Sequence, residues 1–128
     1  MKPTGFSLIE LLVALAITAI IASVAYPSYT SYVIASARSE GLTTILQVAI
    51  EQDQYYLDFR RYSSNMQDLG FDSDPLITDN GHYQVDATVT SSNYIITASA
   101  QGVQSQRDGE CSQITLSSEG EKLPESCW

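Results

Sequence analysis

Residues 6–26 read FSLIELLVALAITAIIASVAY, and this stretch decides the fold. It is about twenty-one residues long, and Glu10 is its only ionisable side chain. About twenty apolar residues are enough for a helix to cross the hydrocarbon core of a bilayer. The stretch is therefore long enough to span a membrane, and about a hundred of the 128 residues remain for one small soluble domain.

The start of the chain does not match an ordinary secretory signal, which has a basic start, an apolar stretch of about 7–15 residues and a small-residue cleavage site. Here the apolar run is too long, and the one candidate cut, after Ala25, would discard all of it. A single-pass anchor with Lys2 on the cytoplasmic side fits better. It gives no reason for Glu10, however, because an ionisable residue near the centre of a spanning helix costs about 2.5–3.5 kcal/mol. Glu10 is therefore a candidate functional residue.

Residues 5–13, GFSLIELLV, resemble the signature of class a type IV prepilins. That family has a short leader ending in glycine, a phenylalanine after the cut and a glutamate at the fifth mature position. The resemblance implies a leader peptide of residues 1–5, cleavage between Gly5 and Phe6 by the prepilin peptidase, and N-methylation of Phe6. It also implies that residues 6–27 form the transmembrane helix that becomes the filament core.

The resemblance gives Glu10 a role in assembly. In a filament the apolar helices pack together away from water, and each mature N-terminus brings a cation into the bundle. A buried charge is tolerable only when it is paired and hydrogen-bonded. The family pairs this glutamate with the N-terminal amine of a neighbouring subunit. At about 4 Å and an effective dielectric near 20, the attraction is about 4 kcal/mol before desolvation.

Pro27 is the second predicted assembly residue, because it falls where the family has a helix-interrupting proline. Its ring removes one backbone donor and can kink the helix, so we expect a bend near it. Ala19 stands where many members have glycine, in the stretch thought to unwind on assembly. Alanine favours helix over glycine by about 1 kcal/mol. How far unwinding extends from Pro27 towards Thr18 therefore stays open.

The periodicity of residues 28–128 predicts an α+β head. Residues 28–59 repeat apolar side chains at spacings of three and four, which continues the first helix to about fifty residues. Residues 60–81 are rich in turn formers and predict a loop, and alternation within residues 82–118 predicts antiparallel strands. We expect a long helix packed on a small antiparallel sheet of three or four strands, the pilin fold. The apolar face of the helix is predicted to contain Leu42, Ile45, Leu46, Ala49, Tyr56 and Leu57.

The two cysteines, Cys111 and Cys127, lie near the C-terminus. A membrane segment ahead of a small domain with an even number of cysteines is typical of an oxidising compartment. We therefore predict a disulfide that bounds a C-terminal region, 111–127. It closes a loop of about sixteen residues, worth roughly 3 kcal/mol in the chain-entropy model. Two free buried thiols are the alternative, and a metal pair is disfavoured because the single histidine, His82, is distant in sequence.

The charge of the chain disfavours nucleic acid as a partner. The formal net charge is −9, and loss of Lys2 with the leader makes it −10. Negative charge repels phosphate, so the chain carries no strong nucleic-acid signal. A local patch from Arg38, Arg60, Arg61 and Arg107 is the alternative to scattered, solvated arginines.

The predicted loop contains four acids, Asp68, Asp72, Asp74 and Asp79. Carboxylate oxygens suit calcium, but their order does not match an EF-hand loop, so we predict a solvated acidic loop and no metal. Nothing indicates an enzyme either, because there is no G-x-S-x-G, phosphate-binding glycine loop or zinc spacing. We predict no catalytic residue, no cofactor and a structural role for His82.

The closing Cys127-Trp128, the pair Tyr55-Tyr56 and the short strands resemble PilE-type minor pilins. The resemblance implies a minor pilin that primes or joins assembly of a pilus used in adhesion or twitching motility. A major pilin and a type II secretion pseudopilin are the alternatives, although pseudopilins usually lack such a disulfide. A monomeric membrane-anchored binding domain is the alternative from a different class.

The resemblance also implies where the chain acts and with what. Before assembly it would lie in the inner membrane with a cytoplasmic N-terminus and a periplasmic head, and afterwards in the extracellular pilus. Its partners would be the membrane, the prepilin peptidase, the inner-membrane assembly machinery and other pilin subunits in a homo- or hetero-filament. Motility, adhesion and DNA uptake are not distinguished at this level.

Overall fold

The computed structural model of the protein describes residues 5–128. All of the predicted leader except Gly5 therefore lies outside the described residues. One long helix, α1, spans Leu8–Phe59 and contains Pro27 without interruption. The chain forms two compact units, one ending at Val33 and the other comprising Ile34–Trp128.

The first unit consists of the N-terminal part of α1, and its side chains from Gly5 to Tyr29 are all exposed. This part of the helix is long and apolar enough to cross a membrane. From Leu8 to Tyr26 the helix rises about 1.5 Å per residue, or about 27 Å in total, close to the thickness of a bilayer core. An apolar surface of this extent needs lipid or other helices to cover it.

The second unit is a head in which part of α1 is followed by a five-stranded antiparallel sheet. The strands pair in sequence order, each with the next. Their bounds are β1 Leu76–Ile77, β2 Tyr83–Val89, β3 Tyr94–Ala100, β4 Gln113–Ser117 and β5 Lys122–Leu123. The predicted α+β class, a long helix with an antiparallel sheet, is confirmed.

The sheet has five strands, one or two more than the three or four predicted, and the two shortest were not located from the sequence. β1 lies inside the predicted loop 60–81, and β5 lies beyond the predicted strand region 82–118. A strand of two residues is too short to show an alternation of apolar and polar residues. It can be recognised only from the strand that it pairs with in the structure. A second helix, α2 Gly102–Arg107, joins β3 to β4 and was not predicted. Its six residues are too few for an amphipathic repeat.

The core of the head lies between α1 and one face of the sheet. Buried residues recur along α1 at spacings of three and four, and along each central strand at every second position. The helix contributes Ala37, Gly41, Ile45, Val48 and Gln52. The central strands contribute Tyr83, Val85, Ala87, Tyr94, Ile96, Ala98, Ile114 and Leu116.

The predicted apolar face of α1 was therefore wrong in part. Ile45 is fully buried, but Leu46 and Leu57 are exposed. A glycine at position 41 and a glutamine at position 52 take buried places that a hydrophobicity pattern assigns to larger apolar residues. The glycine lets an aromatic ring approach the helix, and the glutamine is buried because the loop supplies its hydrogen bonds.

Gln52 fastens the loop that follows α1. Its side-chain amide donates to the Ser63 carbonyl, and its oxygen accepts from the Ser63 backbone N–H at 3.0 Å. The Ser63 hydroxyl in turn donates to Asp68 at 2.9 Å, and the Met66 N–H donates to Asp74 at 3.1 Å. A buried polar side chain with both ends paired costs little to bury, and it fixes the path of the chain.

At Gly41 we predict that alanine destabilises the protein, the opposite of what helix propensity alone predicts. A Cβ at Gly41 would lie 2.9 Å from Cγ of Tyr83, a fully buried ring whose hydroxyl donates to the Cys111 carbonyl at 3.2 Å. Gly41→Ala is therefore expected to destabilise the head by about 2 kcal/mol, although alanine favours an exposed helix by about 1 kcal/mol. Urea unfolding followed by the fluorescence of Trp128, the single tryptophan, measures this. Ser39→Ala, at an exposed position of the same helix, is the control, and a stabilised Gly41→Ala variant would contradict the packing argument.

Candidate assembly site

The predicted processing residues lie together at the start of the described chain. Gly5 and Phe6 precede α1, and the Phe6 side chain is 86% exposed. Glu10 is in the first turn of α1 and is also exposed. A carboxylate is favoured there, because the unpaired N–H groups give the N-terminus of a helix a partial positive charge. Both residues at the predicted cut are thus exposed, and Phe6 precedes Glu10 by four residues.

Two hydroxyls that follow Glu10 in the apolar segment, those of Thr18 and Ser23, are hydrogen-bonded within the helix. The Thr18 hydroxyl donates to the Ala14 carbonyl at 2.8 Å, and the Ser23 hydroxyl donates to the Ile20 carbonyl at 2.7 Å. Such bonds to the preceding turn remove the need for water at a hydroxyl in apolar surroundings. Glu10 is therefore the residue of this segment whose charge still needs a partner.

Pro27 lies inside α1, where it removes a backbone donor but does not end the helix. The Thr30 hydroxyl donates to the Pro27 carbonyl at 2.9 Å. The carbonyl of Ser23, four residues before the proline, loses its ordinary helical donor, which makes this turn a weak point of the ladder.

Sequence reasoning missed a polar network that joins α1 to α2. Arg38 donates two hydrogen bonds to Asp108, Nε to Oδ2 at 2.8 Å and a terminal nitrogen to Oδ1 at 2.7 Å. Gln104 donates to the Ile34 carbonyl at 3.3 Å and contacts both the Tyr83 hydroxyl and the Asp108 carboxylate. The hydrogen bond to Asp108 is the main reason that the pKa of Arg38 is raised. The residues are seventy positions apart, so no local pattern signals this pair.

A second polar cluster holds the turn before β2 against α1. The Glu40 carboxylate accepts from the Asn80 backbone at 2.9 Å and from the Asn80 side chain at 3.1 Å, and it lies 2.8 Å from Nδ1 of His82. Burial alone would raise the pKa of Glu40. Hydrogen bonds with Thr78, Asn80 and His82 outweigh burial and lower the pKa to about 2. His82 therefore takes part in the cluster that holds this turn against α1.

The predicted disulfide between Cys111 and Cys127 is present. It closes the C-terminal part of the head, where β5 pairs with β4. The Lys122 ammonium lies 4.7 Å from the centre of the Trp128 ring, a cation–π distance. The chain end is thus held by a covalent bond, a strand pair and an aromatic contact.

Two of the four acids of the loop form hydrogen bonds within it. Asp68 accepts from the Ser63 hydroxyl, and Asp74 accepts from the Met66 backbone N–H. Asp72 and Asp79 are exposed. Within residues 5–128, no group of three His, Cys, Asp or Glu side chains is placed to hold a metal ion.

Comparison with known protein families gives two matches. Residues 1–26 match the model of the prokaryotic N-terminal methylation motif. Residues 27–115, more than half of the chain, match a family described as the type IV minor pilin ComP, DNA uptake sequence receptor. Comparison with curated proteins gives no match.

Proposed function

We propose that the chain, which belongs to the family of the type IV minor pilin ComP, is cut between Gly5 and Phe6 and enters a pilus through its apolar helix. Family membership makes the chain a minor pilin subunit of a type IV pilus. The observation that supports the proposed route is the exposed apolar surface of the N-terminal part of α1, which lies next to the methylation motif. The role is structural and needs no catalytic group.

The proposed life of the chain has two stages. Lys2 favours a cytoplasmic N-terminus, so the head would face the periplasm while the apolar helix spans the inner membrane. The prepilin peptidase would then remove the leader and methylate Phe6, and the assembly machinery would move the helix from lipid to a bundle of pilin helices. The same apolar surface serves both stages because lipid tails and aliphatic side chains are alike in polarity.

In the bundle, we propose that Glu10 pairs with the N-terminal amine of the neighbouring Phe6. The exposed carboxylate lies four residues after Phe6, and the hydroxyls of Thr18 and Ser23 are already bonded within the helix. A charge pair is costly to break in apolar surroundings, so it fixes the stagger between neighbouring helices.

Mass spectrometry of the protein recovered from sheared pili tests the proposal. We expect a mature N-terminus at a methylated Phe6, in a chain that is much less abundant than the major subunit. An intact Met1 or a cut after Ala25 in the membrane fraction would instead indicate an anchored domain or a secretory signal.

DNA binding is the second candidate function, because the matching family is described as a DNA uptake sequence receptor. The charge opposes it, with six lysines and arginines against fifteen acids. Arg38 is already paired with Asp108, which leaves Arg60, Arg61, Arg107 and Lys122 as the cations of the described chain that could face phosphate. Each contact between a basic side chain and a phosphate adds to the affinity for DNA and to its salt dependence. Because only four such side chains are available in the described chain, we predict weak DNA binding.

Selection of duplexes from a random pool by the full chain in detergent at about 150 mM salt tests this candidate. A sequence enriched at this salt and bound with submicromolar affinity would establish a receptor. Binding that shows no sequence preference and disappears between about 50 and 200 mM salt would exclude one.

A further inference from the structure

The chain contains two dipeptides in which an asparagine or an aspartate precedes a glycine, Asn80-Gly81 and Asp108-Gly109. In such a pair the glycine nitrogen can attack the carbonyl of the preceding side chain, because glycine has no Cβ to hinder the approach and reaches most backbone angles. A carboxamide accepts this attack more readily than a carboxylate does, so Asn80-Gly81 is the more reactive of the two. The other two asparagines of the chain precede larger residues.

Deamidation of Asn80 needs water as its co-reactant and no other molecule. The Gly81 nitrogen loses its proton to a base and bonds to Cγ of Asn80, the side-chain nitrogen leaves as ammonia, and a succinimide ring forms. Water then opens the ring at either carbonyl, which leaves aspartate or isoaspartate at this position. The net reaction replaces –NH₂ by –OH without oxidation or reduction. It requires that the Gly81 N–H is free and that the Asn80 side chain can turn towards it.

The structure restrains both reacting groups, although Asn80 and Gly81 are exposed to water. The Gly81 N–H donates to the Thr78 carbonyl at 2.7 Å, so the attacking nitrogen is held within the turn before β2. Glu40 on α1 holds Asn80, since its Oε1 accepts from the backbone N–H at 2.9 Å and its Oε2 accepts from the side-chain amide at 3.1 Å. The side chain that must turn towards Gly81 is therefore tied to the helix.

The groups that restrain the dipeptide are themselves fixed. Thr78 is buried, its N–H donates to the Tyr83 carbonyl at 3.0 Å, and its hydroxyl accepts from the Tyr83 N–H at 3.1 Å. Oε2 of Glu40 lies 2.8 Å from Nδ1 of His82. The pKa of Glu40 is about 2, so the carboxylate is ionised at neutral pH. Hydrogen bonds to an ionised acceptor are stronger than bonds between neutral groups, which makes Glu40 an effective restraint.

We propose that Asn80-Gly81 is a deamidation site that Glu40 keeps unreactive while the turn before β2 stays docked on α1. The proposal concerns the head alone and holds whether or not the chain enters a pilus. Arg38 restrains the second dipeptide in a similar way, through two hydrogen bonds to Asp108. One short stretch of α1 thus holds the side chains of both reactive dipeptides.

The reaction would remove the contact that prevents it. A carboxylate would replace the amide at the position where the Asn80 nitrogen lies 3.1 Å from Oε2 of Glu40. Two carboxylates this close repel each other. The isoaspartate product also lengthens the backbone of the turn by a carbon atom. The turn would therefore leave α1, and because ammonia is lost, deamidated heads would accumulate as the protein ages.

Peptide mapping by mass spectrometry of the full chain in detergent, stored for weeks at mildly alkaline pH, tests the proposal. Glu40→Gln keeps the length of the side chain but removes its charge and its acceptor for the Asn80 amide. We expect Asn80 to deamidate at least about tenfold faster in this variant than in wild type, which corresponds to about 1.4 kcal/mol of lost protection. In denaturant the two proteins should react at one common, higher rate. A folded wild type that reacts as fast as the denatured chain would overturn the proposal.

A matched control separates the local restraint from the overall stability of the head. Val48→Ala leaves a cavity at a fully buried position about two turns further along α1 and keeps Glu40 in place. For each variant, the unfolded fraction from urea unfolding multiplied by the rate in denaturant gives the rate that global unfolding alone allows. We expect Glu40→Gln to exceed this rate, whereas the additional reaction in Val48→Ala should not exceed it. A Glu40→Gln rate that equals the wild-type rate, or that global unfolding accounts for, would overturn the role of Glu40.

Asn80→Asp tests the predicted effect of the modification on the head. We expect urea unfolding to show at least about a tenfold fall in the folding equilibrium constant, or about 1.4 kcal/mol, because the new carboxylate faces Glu40. Asn93→Asp, at an exposed position between β2 and β3, is the control and should stay within about twofold of wild type. Equal stability of Asn80→Asp and wild type would show that deamidation does not release the turn, and would overturn this part of the proposal.

Discussion

Glu10→Ala is expected to reduce incorporation of this minor pilin into sheared pili at least about tenfold, a loss of about 1.4 kcal/mol or more of assembly free energy. The carboxylate is exposed in the first turn of α1, in a predominantly apolar segment whose Thr18 and Ser23 hydroxyls are bonded within the helix. Without it, the amine of a neighbouring Phe6 would enter the filament core unpaired. Breaking a buried pair costs about 3–5 kcal/mol, so even a partly hydrated pair accounts for the expected loss.

Two controls separate pairing from insertion and processing. Thr18→Ala removes a hydroxyl that already bonds to the Ala14 carbonyl, and it should leave incorporation within about twofold of wild type. Glu10→Gln keeps the shape of the side chain but loses its charge, so it should resemble the alanine variant. Cleavage after Gly5 should persist in both Glu10 variants. Assembly of Glu10→Ala as efficient as that of wild type would show that Glu10 does not have the proposed pairing role.

Much of the fold could be predicted from patterns within single segments of the sequence. The membrane segment, the continuation of α1 and the alternation in β2, β3 and β4 depend on periodicities within one element. The disulfide followed from the compartment that a membrane segment implies. These features are local, or depend on composition alone, and a single sequence contains that information.

The features that the sequence did not predict depend on contacts between distant parts of the chain. β1 and β5 are strands only because β2 and β4 lie beside them. Gln52 is buried only because the loop returns to it at Ser63. Hydrophobicity placed Leu46 and Leu57 in the core, whereas the sheet covers a neighbouring face of α1 and leaves both exposed.

Asp108→Ala is expected to destabilise the head by about 3–4 kcal/mol, the largest effect that we predict for folding. Arg38, with its side chain 26% exposed, would keep its charge but lose both hydrogen bonds to the carboxylate. Gln104 would lose one of its contacts as well, so the join between α1 and α2 would loosen. Urea unfolding followed by Trp128 fluorescence measures the change. Asp72→Ala, at an exposed position of the loop, is the control and should stay within about 0.5 kcal/mol of wild type.

The double variant Arg38→Leu/Asp108→Leu tests whether the loss of stability in Asp108→Ala comes from leaving Arg38 without its partner. A half-removed pair leaves a charge without its partner, whereas removal of both partners leaves an apolar contact. We therefore expect the double variant to be more stable than Asp108→Ala, with a coupling energy of at least about 1 kcal/mol in the cycle completed by Arg38→Leu and Asp108→Leu. Additive effects would mean that the two side chains act independently despite their contact. Because Gln104 also donates to the Ile34 carbonyl, weakening of this network should expose the first turn of α1 in the head to faster hydrogen exchange.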